Sequence, residues 1–368
     1  MGRFLISAQG WPYLLTPFIP LALVLELSHA EAGLIFLVAA LGIIPTAALM
    51  GLATEELAAR SGPGIGGLLN VTFGNAPELI IALFALSEGL HEVVKASIAG
   101  SILGNILLVL GASMLVGGIG RQKQTFNATA ANAQSSMLML AAAALVGPAL
   151  FQMIDAGGLP PVDAEIVDFG STVEDLSLAV AIVLMATYVC GLIFSLRTHR
   201  DLFNPPYAEE EHETFGWSVR RSVGMLFVAG LAVGLMSEIL VGSISEASEA
   251  VGLSEFFIGV IVVAIVGNAA EHWVAVLVAF KNKMDLAVNI AVGSSAQIAL
   301  FVAPLLVVCS FFIGPGPMPL VFNGFELGGI LLAILIAQYV THDGETNWFE
   351  GVQLLAVYAI LGLTFYYA

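Results

Sequence analysis

The chain has 368 residues, of which 58% are hydrophobic and only 11% are charged. Because soluble domains carry about 25% charged residues, this composition excludes an ordinary soluble protein and predicts several membrane-spanning segments. The 28 acidic residues outnumber the 11 basic ones, so we expect no nucleic-acid surface, and a cationic substrate is favoured. Cys190 and Cys309 lie in separate apolar segments, which excludes a disulfide framework and the spacing of a zinc site.

Polar or Gly/Pro-rich breaks divide the chain into about eleven apolar segments, most of them near the roughly 20 residues that cross a membrane. In chain order the predicted spans are residues 11–27, 31–53, 64–88, 92–119, 135–154, 175–197, 219–241, 254–280, 286–313, 319–340 and 348–367. The first follows Arg3 without a convincing small-residue cleavage site, so we expect a retained span and not a signal peptide. The predicted fold class is an all-α polytopic membrane protein.

The basic residues assign an orientation to these spans. With the N-terminus in the cytoplasm, ten of the eleven Lys and Arg residues lie at cytoplasmic ends, as the positive-inside rule requires, and Lys95 is the exception. The ten are Arg3, Arg60, Arg121, Lys123, Arg197, Arg200, Arg220, Arg221, Lys281 and Lys283. Acidic residues expected on the opposite face are Asp155, Asp163, Glu165, Asp168, Glu174, Asp175, Glu246, Glu249 and Glu255. Eleven spans then place the C-terminus outside.

Two motifs inside apolar runs repeat each other. "GNAPE" at Gly74–Glu78 is followed 193 residues later by "GNAAE" at Gly267–Glu271, and "GS" at Gly100–Ser101 matches "GS" at Gly293–Ser294. Spans two to six then form one half of the protein, and spans seven to eleven form the other. Because five spans is an odd number, the two five-helix halves cross the membrane in opposite senses, an inverted repeat typical of secondary transporters. The binding site is expected near the membrane midplane, where the halves meet.

The repeat also predicts the domain boundaries. We expect an N-terminal helix outside the repeat at 1–29, a first five-helix repeat at 30–198, an acidic cytoplasmic linker at 199–218 and a second repeat at 219–368. The shift of 193 residues places Glu56 on Glu249. The linker contains Pro205–Pro206 and glutamates at 209–211 and 213, and it is either a solvated connector or a segment that attracts cations.

The two motif glutamates are the strongest candidates for a functional role. In each motif the Asn and the Glu are three residues apart, so they share one face of a helix. A carboxylate inside the membrane costs roughly 2.5–3.5 kcal/mol on insertion scales and normally faces a cavity or the protein interior. Glu78 and Glu271, at equivalent positions, therefore predict a cation site. The further oxygen ligands expected around them are Asn75, Asn268, Ser101, Asn105, Ser294, Ser295 and Gln297.

The chemistry of this ligand set favours Ca²⁺. Ca²⁺ accepts about 6–8 oxygen ligands in flexible geometry, whereas Mg²⁺ demands an octahedron and softer metals prefer sulfur or imidazole; Mn²⁺ stays an alternative. When the metal leaves, burial and mutual repulsion both favour protonation of the two carboxylates. Ca²⁺ and H⁺ would then compete for the same oxygens, which is the physical basis of an antiporter without a resident cofactor. His272, beside Glu271, is either a proton relay or a packed neutral histidine.

These motifs resemble those of a known family. "TFGNAPELI" (72–80) with "SIAGSILGNILLVLG" (97–111), and "GNAAEH" (267–272) with "NIAVGSSAQIALFVAP" (289–304), closely resemble the two signature repeats of the Ca²⁺/cation–proton exchangers. This is the CAX family of the calcium/cation antiporter superfamily. "GLATEELAAR" (51–60) is similar to the family's segment before the first motif.

The resemblance implies a secondary active antiporter that exchanges Ca²⁺ for H⁺ by alternating access. It implies that Glu78 and Glu271 carry either the cation or the protons, with Asn75 and Asn268 as neighbouring ligands or hydrogen-bond partners. It also implies that the second and seventh spans move during transport.

Other functions are less compatible with these motifs. A Na⁺-coupled Ca²⁺ exchanger is the nearest alternative, but that family characteristically has a Thr-Ser pair before Pro-Glu, where this chain has Gly-Asn-Ala. A divalent cation channel would need a ring of carboxylates or carbonyls, which is expected to come from several subunits. An enzyme is not expected, because the sequence has no HExxH motif, no paired histidines and no nucleotide-binding glycine loop.

The expected setting is a lipid bilayer, with Ca²⁺ and H⁺ as substrates and no nucleic-acid partner. A homo-oligomer is left open by the sequence. The short N-terminal segment favours a prokaryotic cell membrane over an organelle.

Overall fold

A computed structural model of the protein describes residues 10–61, 63–155, 157–162, 172–199 and 215–368. The predictions for Arg3, Asp163, Glu165, Asp168, Arg200 and the glutamates of the linker lie outside these residues. The helices are α1 (Trp11–Leu27), α2 (Ala32–Ser61), α3 (Pro63–Phe73), α4 (Ala76–Ser87), α5 (His91–Gly118), α6 (Ala128–Asp155), α7 (Thr172–Thr198), α8 (Val219–Gly242), α9 (Ile244–Val251), α10 (Glu255–Phe280), α11 (Met284–Ser310), α12 (Gly324–Val340) and α13 (Trp348–Tyr366). Two short strands, β1 (Gln124–Thr125) and β2 (Glu345–Thr346), pair in antiparallel fashion.

The helices confirm the prediction of an all-α polytopic membrane protein. Eight of those described, α2, α5, α6, α7, α8, α10, α11 and α13, are long and apolar enough to cross a membrane. The shorter apolar helices α1, α4 and α12 coincide with the other predicted spans. How many of the eleven segments cross the membrane is still a prediction. The described cysteines, Cys190 and Cys309, are free.

The third predicted span is not one continuous helix. It is divided into α3 and α4 by a turn at Gly74 and Asn75, at the first motif. Pro77 has no N–H to donate to the carbonyl oxygen of Phe73, four residues earlier, and its ring clashes with a carbonyl at that position of a continuous helix. In the second motif Ala270 replaces this proline, and α10 continues through Gly267 and Asn268 without a break. The sequence therefore makes the two halves different at the motifs themselves.

Two equivalent helices, α5 and α11, form the centre of the bundle. They are the most buried of the long helices, and they begin 193 residues apart, at His91 and Met284. Each contains a stretch of π-helix, Gly104–Val109 in α5 and Ile298–Val302 in α11. Such stretches occur frequently at functional sites, because the extra residue per turn redirects side chains.

The small residues of α5 allow it to lie unusually close to α10. A Cβ added at Gly100 would lie 2.0 Å from the carbonyl oxygen of Val260, so no other residue fits there without moving a backbone. On the opposite helix, a Cβ at Gly259 would lie 2.9 Å from the Cβ of Ala96. This contact brings the polar residues of α5 next to the second motif.

The opening helices of the two halves, α2 and α8, pack against each other along their lengths. Each also packs against the motif helix of the other half: α2 contacts α10, and α8 contacts α4. α1 covers α2, where a Cβ at Gly42 would lie 3.6 Å from the backbone of Ile19 and 2.8 Å from the sulfur of Met236. The pair α2–α8 therefore lies across both motif helices.

Basic residues gather at one end of the bundle, which we call the basic end; it carries Arg60, Arg121, Lys123 and Lys281. The guanidinium of Arg121 donates to the carbonyl oxygen of Phe280 at 3.2 Å. Lys123 forms a salt bridge with Glu345 at 2.5 Å, beside the β1–β2 pair. These contacts join the ends of α5 and α10 to the loop before α13.

Lys95, the exception to the positive-inside pattern, lies inside the bundle and not in a loop. Its side chain is only 3% exposed, forms an ion pair with Glu92 and donates to the carbonyl oxygen of Val321 at 3.2 Å. It also interacts electrostatically with Glu326, which is fully buried at the start of α12. Lys95 therefore compensates buried carboxylates and carries no information about the side of the membrane on which its loop lies.

Candidate functional site

The glutamate of each motif lies opposite the glycine of the other motif. Glu78 is in the first turn of α4, and Glu271 is in the middle of α10. A Cβ added at Gly267 would lie 3.4 Å from Cγ of Glu78, and a Cβ at Gly74 would lie 3.5 Å from Oε1 of Glu271. The glycine of each motif thus leaves room for the carboxylate of the other motif. The two carboxylates interact electrostatically across this contact.

The motif asparagines connect the halves through their amide groups. Nδ2 of Asn75 donates to Oε1 of Gln297 on α11 at 2.6 Å. Nδ2 of Asn268 donates to Oγ of Ser101 on α5 at 3.1 Å and to the carbonyl oxygen of Ala264 at 2.9 Å. Each asparagine therefore bonds to the central helix of the opposite half.

The other predicted site residues are arranged asymmetrically. Oγ of Ser294 donates to Oε2 of Glu271 at 3.1 Å, within the second half. Nε2 of His272 donates to Oδ1 of Asn105 at 3.1 Å, in the π-helical stretch of α5. The equivalent positions are apolar, Leu79 and Ile298, so the first half has no counterpart of the His–Asn pair.

Ser295 is the predicted ligand that the structure does not bring to the others. Its hydroxyl is buried and donates to the carbonyl oxygen of Ala291, one turn earlier in the same helix. No hydrogen bond described for Ser295 reaches another candidate residue. The adjacent Ser294 has the contact with Glu271 instead.

Three buried acceptor atoms of the motifs have no hydrogen-bond donor in the described part of the chain. They are Oε2 of Glu78, Oδ1 of Asn75 and Oδ1 of Asn268. Buried polar atoms are normally paired, because an unpaired one keeps its full desolvation cost of about 1–3 kcal/mol. A cation coordinated by these oxygens would remove that cost.

A small cavity of about 20 Å³ adjoins Glu78. Its hydroxyl groups come from Ser97 and Ser101 of α5, and the rest of its lining is apolar. Ile81 of α4 and Val302 of α11 lie on the side of the motifs away from the basic end. The cavity therefore extends from Glu78 toward the opposite end of the bundle.

Two residues near the site were missed by sequence reasoning. Ser97 lines the cavity, and its position one turn before Ser101 is the signal that could have identified it. Glu55 interacts electrostatically with Glu271 from α2, and nothing in its local sequence distinguishes it from its neighbour Glu56. That contact depends on how α2 packs against α10.

The site can bind a hard cation through oxygen atoms alone. Two carboxylates supply the negative charge, while amide and hydroxyl oxygens supply neutral ligands. In the described ranges, no three His, Cys, Asp or Glu side chains come together as a metal cluster. A bound cation would therefore depend on Asn75, Asn268 and the serines to complete its coordination shell.

Comparison with known proteins identifies the family of the chain. The profile of the sodium/calcium exchanger protein family matches residues 32–197 and again residues 221–367. The chain is 46% identical to the Ca(2+)/H(+) antiporter ChaA of Bacillus subtilis (strain 168), over 95% of this chain and 96% of that protein. It is 44% identical to the Ca(2+)/H(+) antiporter of Synechocystis sp., over 90% of this chain and 91% of the relative.

A solved structure supports the same assignment. The native structure of YfkE superimposes with a TM-score of 0.81 and 42% sequence identity, covering 97% of this chain and 100% of YfkE. Identity at this level over nearly the whole length implies a shared fold. The chain therefore belongs to the sodium/calcium exchanger protein family and, within it, to the Ca²⁺/cation–proton exchangers of the CAX family.

Proposed function

We propose that the protein is a secondary active antiporter that exchanges Ca²⁺ for H⁺. Relatives at 44–46% identity carry the name Ca(2+)/H(+) antiporter, and they align over nearly the whole chain. In this proposal the protein is a transporter and not an enzyme, Ca²⁺ and H⁺ are substrates, and no resident cofactor takes part.

One observation carries the proposal: the two motifs meet reciprocally around buried oxygen atoms that lack hydrogen-bond donors among the described residues. Oε2 of Glu78 and the Oδ1 atoms of Asn75 and Asn268 are free to coordinate a cation. Glu271 adds a second carboxylate, whose Oε2 accepts from Ser294. This set offers charge −2 with neutral oxygens, which suits Ca²⁺ better than Mg²⁺ because Ca²⁺ tolerates irregular geometry.

The same two carboxylates couple the cation to protons. With Ca²⁺ absent, two like charges in a buried site repel each other and lose their hydration, so both effects favour binding protons. A charge count gives about two protons for each Ca²⁺. We propose that the His272–Asn105 pair acts as a proton relay, since His272 is next to Glu271 in the sequence and the pair is present in one half only.

The direction of transport follows from the proposed orientation. With the basic end in the cytoplasm, the N-terminus is cytoplasmic, the C-terminus is outside, and the cavity at Glu78 extends toward the outside. In a prokaryotic cell membrane the proton gradient would then drive Ca²⁺ out of the cell. The two five-helix repeats at 30–198 and 219–368 would alternate access to the shared site.

The test is Ca²⁺ uptake into inside-out vesicles with an imposed pH gradient. We compare the wild type with Glu78→Gln and Glu271→Gln, and use Glu238→Gln as the matched control. Glu238 is an exposed glutamate on α8 outside the site. Uptake should collapse when the gradient is dissipated and with either site variant, while the control variant transports like the wild type.

Each alternative has its own result. Uptake that follows a Na⁺ gradient would make the protein a Na⁺-coupled exchanger. Flux that neither saturates nor requires a counter-ion would indicate a channel. Normal proton-driven uptake in both site variants would contradict the site itself. Competition by Mn²⁺ in the same vesicles measures the selectivity between the two ions.

A further inference from the structure

Glu56 forms a buried connection between the opening helices of the two halves. It lies near the end of α2, is 1% exposed, and is surrounded by backbone N–H groups at the start of α8. The N–H of Phe215 donates to its Oε1, and the N–H of Trp217 donates to its Oε2 at 2.8 Å. Both carboxylate oxygens are therefore used, in charge-assisted hydrogen bonds that are among the stronger ones in proteins.

The residue between these donors gives the turn its shape. Gly216 has φ +71°, a left-handed conformation that L side chains rarely adopt. Successive N–H groups around such a residue can converge on one anion. The next residues stabilise the start of α8: Ser218 caps it by accepting from the N–H of Arg221, whose guanidinium lies 4.6 Å from the ring of Trp217.

Apolar contact between the two helices continues toward this end. Met50 of α2 packs with Ala229 and Val233 of α8 and with Ala76 of α4 in a small cluster that is separate from the main core. The carboxylate bonds of Glu56 add a specific polar connection to this apolar contact. The repeat-equivalent residue, Glu249, is exposed on α9 and has no such partner among the hydrogen bonds described.

We propose that Glu56 is a positioning residue for transport, which ties α2 to α8 so that the two helices move over the cation site as one body. This inference rests on the proposed Ca²⁺/H⁺ exchange. The motif helices are covered crosswise, α10 by α2 and α4 by α8, so relative slippage of the pair would displace the two carboxylates from each other. None of the hydrogen bonds described for Glu56 reaches a candidate ligand, and its effect is on the rate of the conformational step and not on cation affinity.

The experiment uses full-length protein in proteoliposomes and three variants. Glu56→Gln replaces one acceptor by an amide NH₂ that faces an N–H donor. Gly216→Ala strains the same turn without changing the carboxylate. Glu249→Gln is the matched control from the other half. For each, we measure amide hydrogen exchange of the peptide containing Phe215 and Trp217, the equilibrium Kd for Ca²⁺, and the maximal exchange rate per folded transporter.

Weakening two charge-assisted bonds should reduce the maximal rate of Glu56→Gln about tenfold, with the Kd for Ca²⁺ unchanged within about twofold. In Glu56→Gln the backbone amides of residues 215 and 217 should exchange hydrogen faster. Gly216→Ala should likewise lower the maximal rate and speed amide exchange, and Glu249→Gln should match the wild type in all three measurements. An unchanged rate, unchanged amide exchange, or a parallel change in Kd would each overturn the proposal. If Glu56→Gln does not fold, the same measurements on Gly216→Ala decide.

A wild type without proton-driven uptake would instead refute the proposed function. Amide exchange would still report on the connection between α2 and α8.

Discussion

Replacing Lys95 by methionine should destabilise the protein more than replacing any surface lysine. Lys95 is 3% exposed and forms an ion pair with Glu92, and it also lies within electrostatic range of the fully buried Glu326. Lys95→Met keeps most of the unbranched side chain but leaves both carboxylates without their cation. Removing one partner of a buried ion pair costs about 3–5 kcal/mol, because the remaining charge is buried without compensation.

The matched control is Lys123→Met. Lys123 also forms a salt bridge, with Glu345, but the two side chains are 58% and 48% exposed. Exposed pairs contribute about 0–1 kcal/mol, so this variant should resemble the wild type. The free energy of unfolding would be measured in detergent micelles by tryptophan fluorescence during chemical unfolding.

A second substitution separates charge compensation from packing. In Lys95→Met/Glu92→Gln one of the uncompensated carboxylates is neutral, so part of the lost stability should return. The reasoning is refuted if Lys95→Met costs no more than Lys123→Met, or if the double variant is as unstable as the sum of the single ones.

Three further predictions concern the cation site. Gln297→Leu should weaken Ca²⁺ binding by about 1–3 kcal/mol, because it leaves the buried amide group of Asn75 unpaired. Ser295→Ala should leave Ca²⁺ binding nearly unchanged, since that hydroxyl bonds only to its own helix among the bonds described. Equal effects of the two variants in a Ca²⁺ titration would contradict the hydrogen-bond geometry. Gly74→Ala should reduce transport more than Gly267→Ala, because a Cβ at Gly74 would lie 2.7 Å from the carbonyl oxygen of Asn70, whereas the nearest atom to a Cβ at Gly267 outside its own helix is Cγ of Glu78 at 3.4 Å. The reverse order in a flux assay would contradict the packing. The Kd for Ca²⁺ should rise as pH falls, by up to about 100-fold per pH unit if two protons compete, and a pH-independent Kd would exclude shared carboxylates.

Much of the fold was predictable because a membrane imposes simple rules on sequence. Apolar segments must be long enough to cross the bilayer, so their positions could be read from hydropathy, and the helices coincide with them. Pro77 in one motif and Ala270 in the other differ in the capacity to donate a backbone hydrogen bond. This difference accounts for the break between α3 and α4, where the hydropathy pattern predicted one continuous span over residues 64–88.

The roles of individual side chains were less predictable because they depend on contacts between distant segments. Lys95 was only the exception to the positive-inside pattern, because its bond to the carbonyl oxygen of Val321 forms only when the segment before α12 packs beside α5. Its ion pair with Glu92, by contrast, is local to α5. Ser294 and Ser295 are adjacent in sequence, and only helix rotation decides that one faces Glu271 while the other bonds to its own helix.

The sequence by itself determined the membrane class, the repeat of the two motifs and the identity of the carboxylates, Glu78 and Glu271, since these follow from composition, spacing and the cost of burying charge. Only the tertiary structure decided which atoms meet. Each motif glutamate lies against the glycine of the other half, and Glu56 accepts hydrogen bonds from the turn at Gly216. These contacts join residues that are 159 or more positions apart in the sequence. Such contacts are set by the packing of whole helices, which no local pattern encodes.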